Sequence, residues 1–439
     1  MATSDALADL LSEENGAAGL GFAVRMEQSM YRGGGMRFDA LPIYQYEGES
    51  FYLHTYRAGI KFNLAPDKRF DAFLAHRFEG FPTDRVPDSL AGMKIRESEA
   101  DFGLSYEQKF PWGRLFGEAL HDISGLSEGN ELRLGYSDDW HRGSLKISPM
   151  FMVSARDAHL NNYYYGVTPD EAAPGRPAYQ PGSGFTGTVS LNARYDLTDR
   201  WRLLAGIYAT RWGSTVRDSP IVENRIVQFG GFAGFAYDFT PSQSQFKPDR
   251  SPVIVKVFHG VSSPCNLLPI MEFRCTSTDT PDHTSVDSIE IGRPFIEQFN
   301  GWPVDFVGYV GALRHDENGL QPDFWQIDAY MKVFYYGFPW SGKVRTRIGF
   351  GMGLSYAQKI PFVEARDQEE RGRPTSKLLN YLDPTIDVSV GDIFGSRRLH
   401  DTYFGFGVSH RSGIFGESQL FGNVNGGSNY IYTYFETRL

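Results

Sequence analysis

Thr402-Tyr-Phe-Gly-Phe-Gly-Val-Ser-His-Arg-Ser-Gly413, then a loop, then Asn425-Gly-Gly-Ser-Asn-Tyr-Ile-Tyr-Thr-Tyr-Phe-Glu-Thr-Arg-Leu439: this C-terminal stretch decides the fold. Both segments alternate, and their glycine load excludes a helix interior. A strand's side chains alternate with period two. Phe404, Phe406 and Val408 therefore share one face, and His410 and Ser412 continue it. Gly405, Gly407, Ser409 and Arg411 fall on the other face. An apolar stripe that ends in His and Ser places a base and a nucleophile where apolar surface meets polar surface.

The rest of the chain says what that apolar surface is. Its 439 residues suffice for two domains or one large barrel. Aromatics make up 15%, with 24 Tyr and 34 Phe beside 48 Gly. Mean hydropathy is −0.36, and no apolar run is long enough to span a bilayer as a helix. Abundant Tyr, Phe and Gly in dispersed alternation predict an outer-membrane β-barrel, whose per-strand signal is weak and dyadic. The net charge of −10, without a basic patch interleaved with aromatics, excludes a nucleic-acid partner.

Taken in order, residues 1–19 form a lead-in with no basic region followed by an apolar core, so they are not a secretory signal. Strands are expected over 21–28, 36–46, 51–64, 69–79, 100–110, 114–123, 131–140, 143–155, 186–197, 201–212 and 227–239. That gives a first unit, 20–239, of about 10–12 strands. Residues 156–184 form a long polar segment of the kind found outside a membrane barrel. Residues 240–251, rich in Pro, Ser and Gln, read as a linker. A second unit, 252–439, shows about eight strands: 253–261, 285–296, 304–314, 324–336, 344–356, 385–391, 403–410 and 429–438. In 324–336, Trp325, Ile327, Ala329, Met331 and Val333 alternate with Gln326, Asp328, Tyr330 and Lys332. A soluble sandwich would alternate too. The aromatic load and long loops favour the membrane. The expected fold is all-β, with two antiparallel barrels in tandem. One wide barrel of about twenty strands is the alternative. An even strand count in each unit places both termini and the linker in the periplasm.

Cys265 and Cys275 are either two free thiols or one disulfide stapling a loop, and an oxidising compartment favours the disulfide. They make a poor zinc site. So do Asp122, Asp138 and Asp139 with His121 and His141, which sit beside turns at no standard spacing. Gly349-Phe-Gly-Met-Gly353 lies inside a strand with no helix after it, so it is not a nucleotide loop. No motif calls for a cofactor or metal. Arg345, Arg347, Asp328 and Asp387 fall on lumen faces, where paired charges fill a small barrel.

Residues 20–239 resemble the MipA/OmpV family of outer-membrane proteins. The resemblance rests on Leu41-Pro42, Leu90-Ala-Gly-Met93, Asn161-Asn-Tyr-Tyr-Tyr-Gly-Val-Thr-Pro-Asp-Glu171, Arg176-Pro-Ala-Tyr-Gln-Pro181 and Asp218-Ser-Pro-Ile-Val222. It implies a barrel without chemistry of its own. One member is described as a scaffold joining a lytic transglycosylase to a peptidoglycan synthase, which implies periplasmic peptidoglycan enzymes as partners. Others are described as porin-like.

Residues 253–439 resemble the lipid A 3-O-deacylase (PagL) family, also called acyloxyacyl hydrolases, through His410-Arg-Ser412 and Asn425-Gly-Gly-Ser-Asn429. That resemblance implies a Ser/His/acid site on the lipid-facing wall, with Ser412 as nucleophile, His410 as base, and outer-membrane lipid or lipopolysaccharide as substrate. Asn429 stands where the family carries Glu, and Gly413 where an Asn often follows the Ser. An Asn can orient a His, as in Cys/His/Asn sites. Glu417 and Glu436 are the alternative acids. The expected activity is an outer-membrane lipid esterase. The alternative is a non-catalytic scaffold or narrow pore with a degenerate deacylase unit.

Overall fold

The computed structural model describes residues 10, 17–81, 86–239 and 252–439. The expected linker, 240–251, lies outside them, as does most of the lead-in. The chain divides into two compact units, Met1–Gln243 and Ser244–Leu439. Each closes its own antiparallel barrel, so the single wide barrel is not formed. No described helix is long and apolar enough to cross a membrane.

Unit 1 contains β1 (Ala17–Gln28), β2 (Met36–Glu47), β3 (Phe51–His54), β4 (Arg57–Ala65), β5 (Lys68–Arg77), β6 (Glu99–Phe110), β7 (Gly113–Asp122), β8 (Asn130–Ser137), β9 (Trp140–Arg142), β10 (Leu145–Arg156), β11 (Gly184–Asp196), β12 (Trp201–Trp212) and β13 (Val227–Asp238). β1 pairs with both β2 and β13, which helps close a ring of twelve strands; β9 is a side strand on β10. The expected single strand over 51–64 is in fact β3 and β4, broken at Thr55, whose φ is 55°. A β-branched residue in the left-handed region marks a forced turn. β3 holds β2 by only three residue pairs, Gln45–His54, Tyr46–Leu53 and Glu47–Tyr52.

The lumen of unit 1 is filled with charge pairs. Arg77 meets Asp101 at 2.8 Å and Glu131 at 2.6 Å. Arg25 meets Asp39 at 2.6 Å, and Arg156 meets Glu79 at 2.6 Å. A cavity of about 40 Å³ among them, beside Glu27, Tyr31 and Tyr208, holds a few waters at most. Segment 156–184 is not simply an extended outer loop. It contains the helix Ala158–Tyr165, capped by Asp157, whose side chain accepts from the Leu160 N–H. Leu160, Tyr164 and Tyr165 from this segment pack with Met30, Tyr31, Phe81, Leu90, Met93, Trp212, Val216, Ile221 and Val222. The long loops of unit 1 thus meet in one apolar plug at the long-loop end. Apolar loop residues sealed over a polar lumen gain the same burial as a core.

Unit 2 is a closed eight-stranded barrel: β14 (Ile254–Ser262), β15 (Ser285–Ile296), β16 (Val304–Asp316), β17 (Phe324–Tyr335), β18 (Thr346–Ala357), β19 (Leu378–Ser389), β20 (Thr402–Ser412) and β21 (Asn429–Arg438). β19 starts earlier than the expected 385–391. Pro384 reads as a breaker, yet it sits within the strand, where β19 makes no ladder pair with β20 at Asp383 or Pro384. The lumen is packed. Lys256 reaches Asp383 and Glu290, each at 3.1 Å, and Lys332 reaches Asp383 at 2.6 Å. Arg347 pairs with Asp387 at 2.7 Å and Glu436 at 2.8 Å. Asp328 is buried there too. Arg345 is not. It precedes β18 and binds Asp392 at 3.0 Å among the short-turn residues. Position 407 faces inward by alternation, and it is glycine because a Cβ there would collide with the Tyr432 ring.

In both units the outer wall carries the apolar set, for example Phe406, Phe435, Ile289 and Ile327 in unit 2 and Phe22, Val24, Leu134 and Ile207 in unit 1. Exposed aromatics gather at the short-turn ends. Phe110 stacks on Trp112 at 4.8 Å, Trp201 meets Tyr237 at 5.0 Å, and Phe338 stacks on Trp340 at 5.0 Å. Such girdles mark where a barrel wall leaves the hydrocarbon. The barrels are therefore outer-membrane barrels with lipid-facing walls.

Candidate functional site

The predicted faces of β20 are observed: Gly405, Gly407, Ser409 and Arg411 point inward, and Phe404, Phe406, Val408, His410 and Ser412 point outward. β20 runs from the short-turn end to the long-loop end, so His410 and Ser412 stand at the long-loop end. His410 lies directly opposite Asn429 on β21 and Leu382 on β19, and Ser412 lies opposite Asn380. Directly opposed side chains in an antiparallel pair are neighbours on one face.

The structure brings His410 and Asn429 together: Nδ1 of the ring is 2.7 Å from Oδ1 of Asn429. It draws no hydrogen bond between the ring and Ser412. Two residues apart on one strand face are separated by about 6.6 Å along the strand. Hydrogen bonds of this kind often tighten only around a bound substrate. Of the alternative acids, Glu417 is exposed in the loop after β20. Glu436 faces the lumen, bonded to Tyr309 at 2.9 Å, with the barrel wall between it and His410. The ladder continues past the strand end, since Arg411 N–H donates to Ser428 at 3.1 Å. This needs glycine at 427, where a Cβ would sit 1.6 Å from the Arg411 carbonyl oxygen.

The outward stripe is not an open track along its whole length. Phe406 is 54% exposed, but Val408 is only 5% exposed. A loop between β14 and β15, closed by the Cys265–Cys275 disulfide, lies on it, with Cys265 and Ile270 packed against Val408 and Leu267, Cys275 and Ile431 around them. Leu268, Met271 and Phe273 of the same loop are exposed, Phe273 at 75%. An acyl chain on this wall would run past Phe404, Phe406 and Phe435 and then beside the loop rather than over Val408.

The same loop touches the polar site. Asn429 Nδ2 donates to the Cys265 carbonyl at 3.0 Å. The Ser263 N–H donates to the Asn429 carbonyl at 2.9 Å. Sequence reasoning passes over this carbonyl, because a backbone group has no residue signature. It also passes over Asn380, which only enters once Pro384 is accepted inside β19. No group of metal-ligating side chains forms among the described residues. Asp122 instead accepts backbone N–H groups from Ser124 at 2.7 Å and Ser127 at 2.9 Å, so it shapes its own turn.

Comparison with known proteins bears on the first unit. Residues 20–239 match the family model described as MltA-interacting protein MipA. Outer membrane protein Omp26La of Vibrio anguillarum is 31% identical over 137 residues, 31% of this chain and 53% of that one, so the chain spans about half of its length. Outer membrane protein OmpV of Vibrio cholerae is 27% identical over 43% of this chain and 73% of its own. The MltA-interacting protein of Escherichia coli K12 is 25% identical over 48% of this chain and 87% of its own. Leu90 and Met93, Tyr164 and Tyr165, and Ile221 and Val222, which lie within the range matched by the family model, all sit in the plug. By that match, which covers half of its length, the chain belongs to the MipA family of outer-membrane proteins.

Proposed function

We propose that the protein is an outer-membrane scaffold whose first unit is a sealed barrel that binds a periplasmic cell-wall enzyme. The observation that carries this reading is the plug. The long loops close one end, and paired charges fill the lumen below them. Among the described residues, the plug and the paired charges crowd the lumen, which supports a scaffold over a pore. A relative carries the name MltA-interacting protein. The family resemblance makes a lytic transglycosylase the partner class to try. Purified protein in mixed micelles should retain a purified lytic transglycosylase of this class on a column and should give no steady current in a planar bilayer. Steady ohmic conductance, or no retention of the enzyme, sinks the scaffold reading.

A second reading applies to unit 2: hydrolysis of an ester-linked acyl chain of lipid A or a related lipid. The contact between His410 and Asn429 favours it. With Nδ1–H donated to Asn429, the free electron pair of the ring is on Nε2. In this reading Nε2 takes the Ser412 proton as Oγ attacks the ester carbonyl. It then returns the proton to the leaving alkoxide, which departs as the alcohol. Water, deprotonated by the same nitrogen, releases the fatty acid and restores Ser412. Lipid A from cells with and without the protein, compared by mass spectrometry, should differ by one acyl chain. Ser412→Ala and His410→Ala should each abolish that difference while keeping heat-modifiable gel mobility. Equal lipid A in all strains removes the hydrolase reading and leaves the scaffold.

A further inference from the structure

We infer that the disulfide loop of unit 2 sets the tautomer of His410, through the Cys265 carbonyl and the Asn429 amide, so that opening Cys265–Cys275 disarms the ring as a base. The inference rests on the hydrolase reading for its catalytic consequence and on geometry alone for the rest.

A primary amide has an acceptor end and a donor end, and either can face a histidine. Here the choice is forced. The Cys265 carbonyl can only accept, and it lies 3.0 Å from Asn429 Nδ2. The NH₂ group therefore faces Cys265, and Oδ1 faces the ring at 2.7 Å. Oδ1 can only accept, so His410 must carry its proton on Nδ1. Nε2 is then unprotonated, the form a base needs. If the Cys265 carbonyl moves away, the amide loses the acceptor that holds its NH₂ end, and the ring keeps only its contact with the Ser428 backbone. A flipped amide would offer NH₂ to Nδ1 and move the ring proton to Nε2. In triads the wrong tautomer costs orders of magnitude in rate even when the geometry survives.

The carbonyl is fixed by its loop. The Cys265 N–H donates to the Ser263 hydroxyl at 3.2 Å, and that hydroxyl donates to the Ser277 carbonyl at 2.7 Å. The disulfide ties the same stretch to Cys275, ten residues on, and Ile270 seats the loop on Val408. A dithiol reductant would deliver two electrons and two protons to the bridge, leaving two thiols and its own cyclic disulfide. The loop would then keep its polar contacts and its packing on Val408 and Ile431, without the covalent tie.

The test uses full-length protein in micelles with ¹⁵N-labelled histidine, read by long-range ¹⁵N–¹H correlation, before and after dithiol reduction. Oxidised protein should show His410 protonated on Nδ1, and reduced protein a mixture with the Nε2–H form. The Asn429→Asp variant separates orientation from mere loosening, because a carboxylate accepts from either oxygen and cannot flip. Its ring should stay Nδ1–H in both redox states. If deacylation is observed, kcat should fall at least tenfold on reduction with KM nearly unchanged, and Asn429→Asp should lose that redox response. The Cys265→Ser/Cys275→Ser double variant should match reduced protein, and if it does not fold, chemical reduction of the folded protein replaces it. An unchanged tautomer after complete reduction overturns the inference. So does a tautomer shift that Asn429→Asp fails to block. Absence of any deacylation removes only the hydrolase reading, because the tautomer is read without substrate.

Discussion

At the scale of the residue, the wall of unit 2 separates two kinds of polar group that alternate along β20. His410 looks out at Asn429, while Arg411, one position on, looks in. Arg411 binds the Glu364 carboxylate at 3.3 Å and the Ser355 hydroxyl at 3.1 Å, and it donates to the carbonyls of Ser376 at 3.2 Å and Lys377 at 3.1 Å. It ties the loop after β18 to the strand end that carries the outward site. Removing one partner of a buried ion pair leaves the other charge uncompensated, at a cost of about 3–5 kcal/mol. Arg411→Ala should therefore lower the unfolding midpoint of unit 2 in micelles sharply. Adding Glu364→Gln should recover part of that loss, since no buried charge is then stranded. If the double variant is no more stable than Arg411→Ala, the pair is not what holds this end together. Gly427→Ala is a harsher change. Its methyl has a backbone oxygen in its way, not a side chain that can turn aside. The expected outcome is a barrel that folds with heat-modifiable mobility but has lost the contact between His410 and Asn429.

At the scale of the element, the Glu171 carboxylate clamps the plug segment of unit 1 to the residues before β6. Glu171 accepts from Arg96 at 2.8 Å and from the N–H groups of Lys94 and Thr168, each at 3.0 Å. Burial alone would raise its pKa. The hydrogen bonds from Arg96 and the two backbone N–H groups outweigh that and hold it down at about 2. A group whose pKa is depressed on folding stabilises above its unfolded value, about 4.3 for Glu. That contribution fades as the pH falls from there through about 2. Protection factors for amide hydrogen exchange in segment 157–183, corrected for the intrinsic rate at each pH, should be high at pH 6 and lower at pH 3, while those of the β-ladders stay high at both. Glu171→Gln should show the lower protection factors at both values. Equal protection of the variant and the wild type at pH 6 would falsify the clamp. Sequence reading finds Asn161 to Glu171 as a motif but takes its segment for an outer loop. The reason is physical. Tyr163, Tyr164 and Tyr165 have no helical or strand period of their own, and only the rims of other loops give them something to pack on. Strands such as β17 and β20 are legible because two environments, lipid and lumen, write the period directly. β3 and β4 are not, since the break at Thr55 carries neither Gly nor Pro.

At the scale of the whole molecule, two closed barrels follow one another in a single chain. Both are legible in outline, through the strand counts on either side of a polar stretch and, for the first, through the resemblance that the family match supports. The closure of each was not, because pairing of β1 with β13 or β14 with β21 leaves no local mark. Closure has a consequence that one wide barrel would not share. A strand in lipid must satisfy its backbone groups within the protein, and a ring of pairs does so without help from another unit. β14 pairs with β15 on one side and β21 on the other, and β1 pairs with β2 and β13, so neither ring borrows a strand. Separating the chain within 240–251 should therefore leave two pieces that fold alone. Residues 17–239 and 252–439, refolded separately in detergent, should each show heat-modifiable mobility and a β-rich circular dichroism spectrum. The weakest place in either ring is the three-pair ladder of β2 and β3. Its amides should exchange first in the isolated first piece, ahead of the nine paired residues of β1 and β13. A first piece that stays unfolded until the second is added would mean that the rings are not self-sufficient. The reading of unit 1 as a sealed scaffold standing on its own would then fall with them.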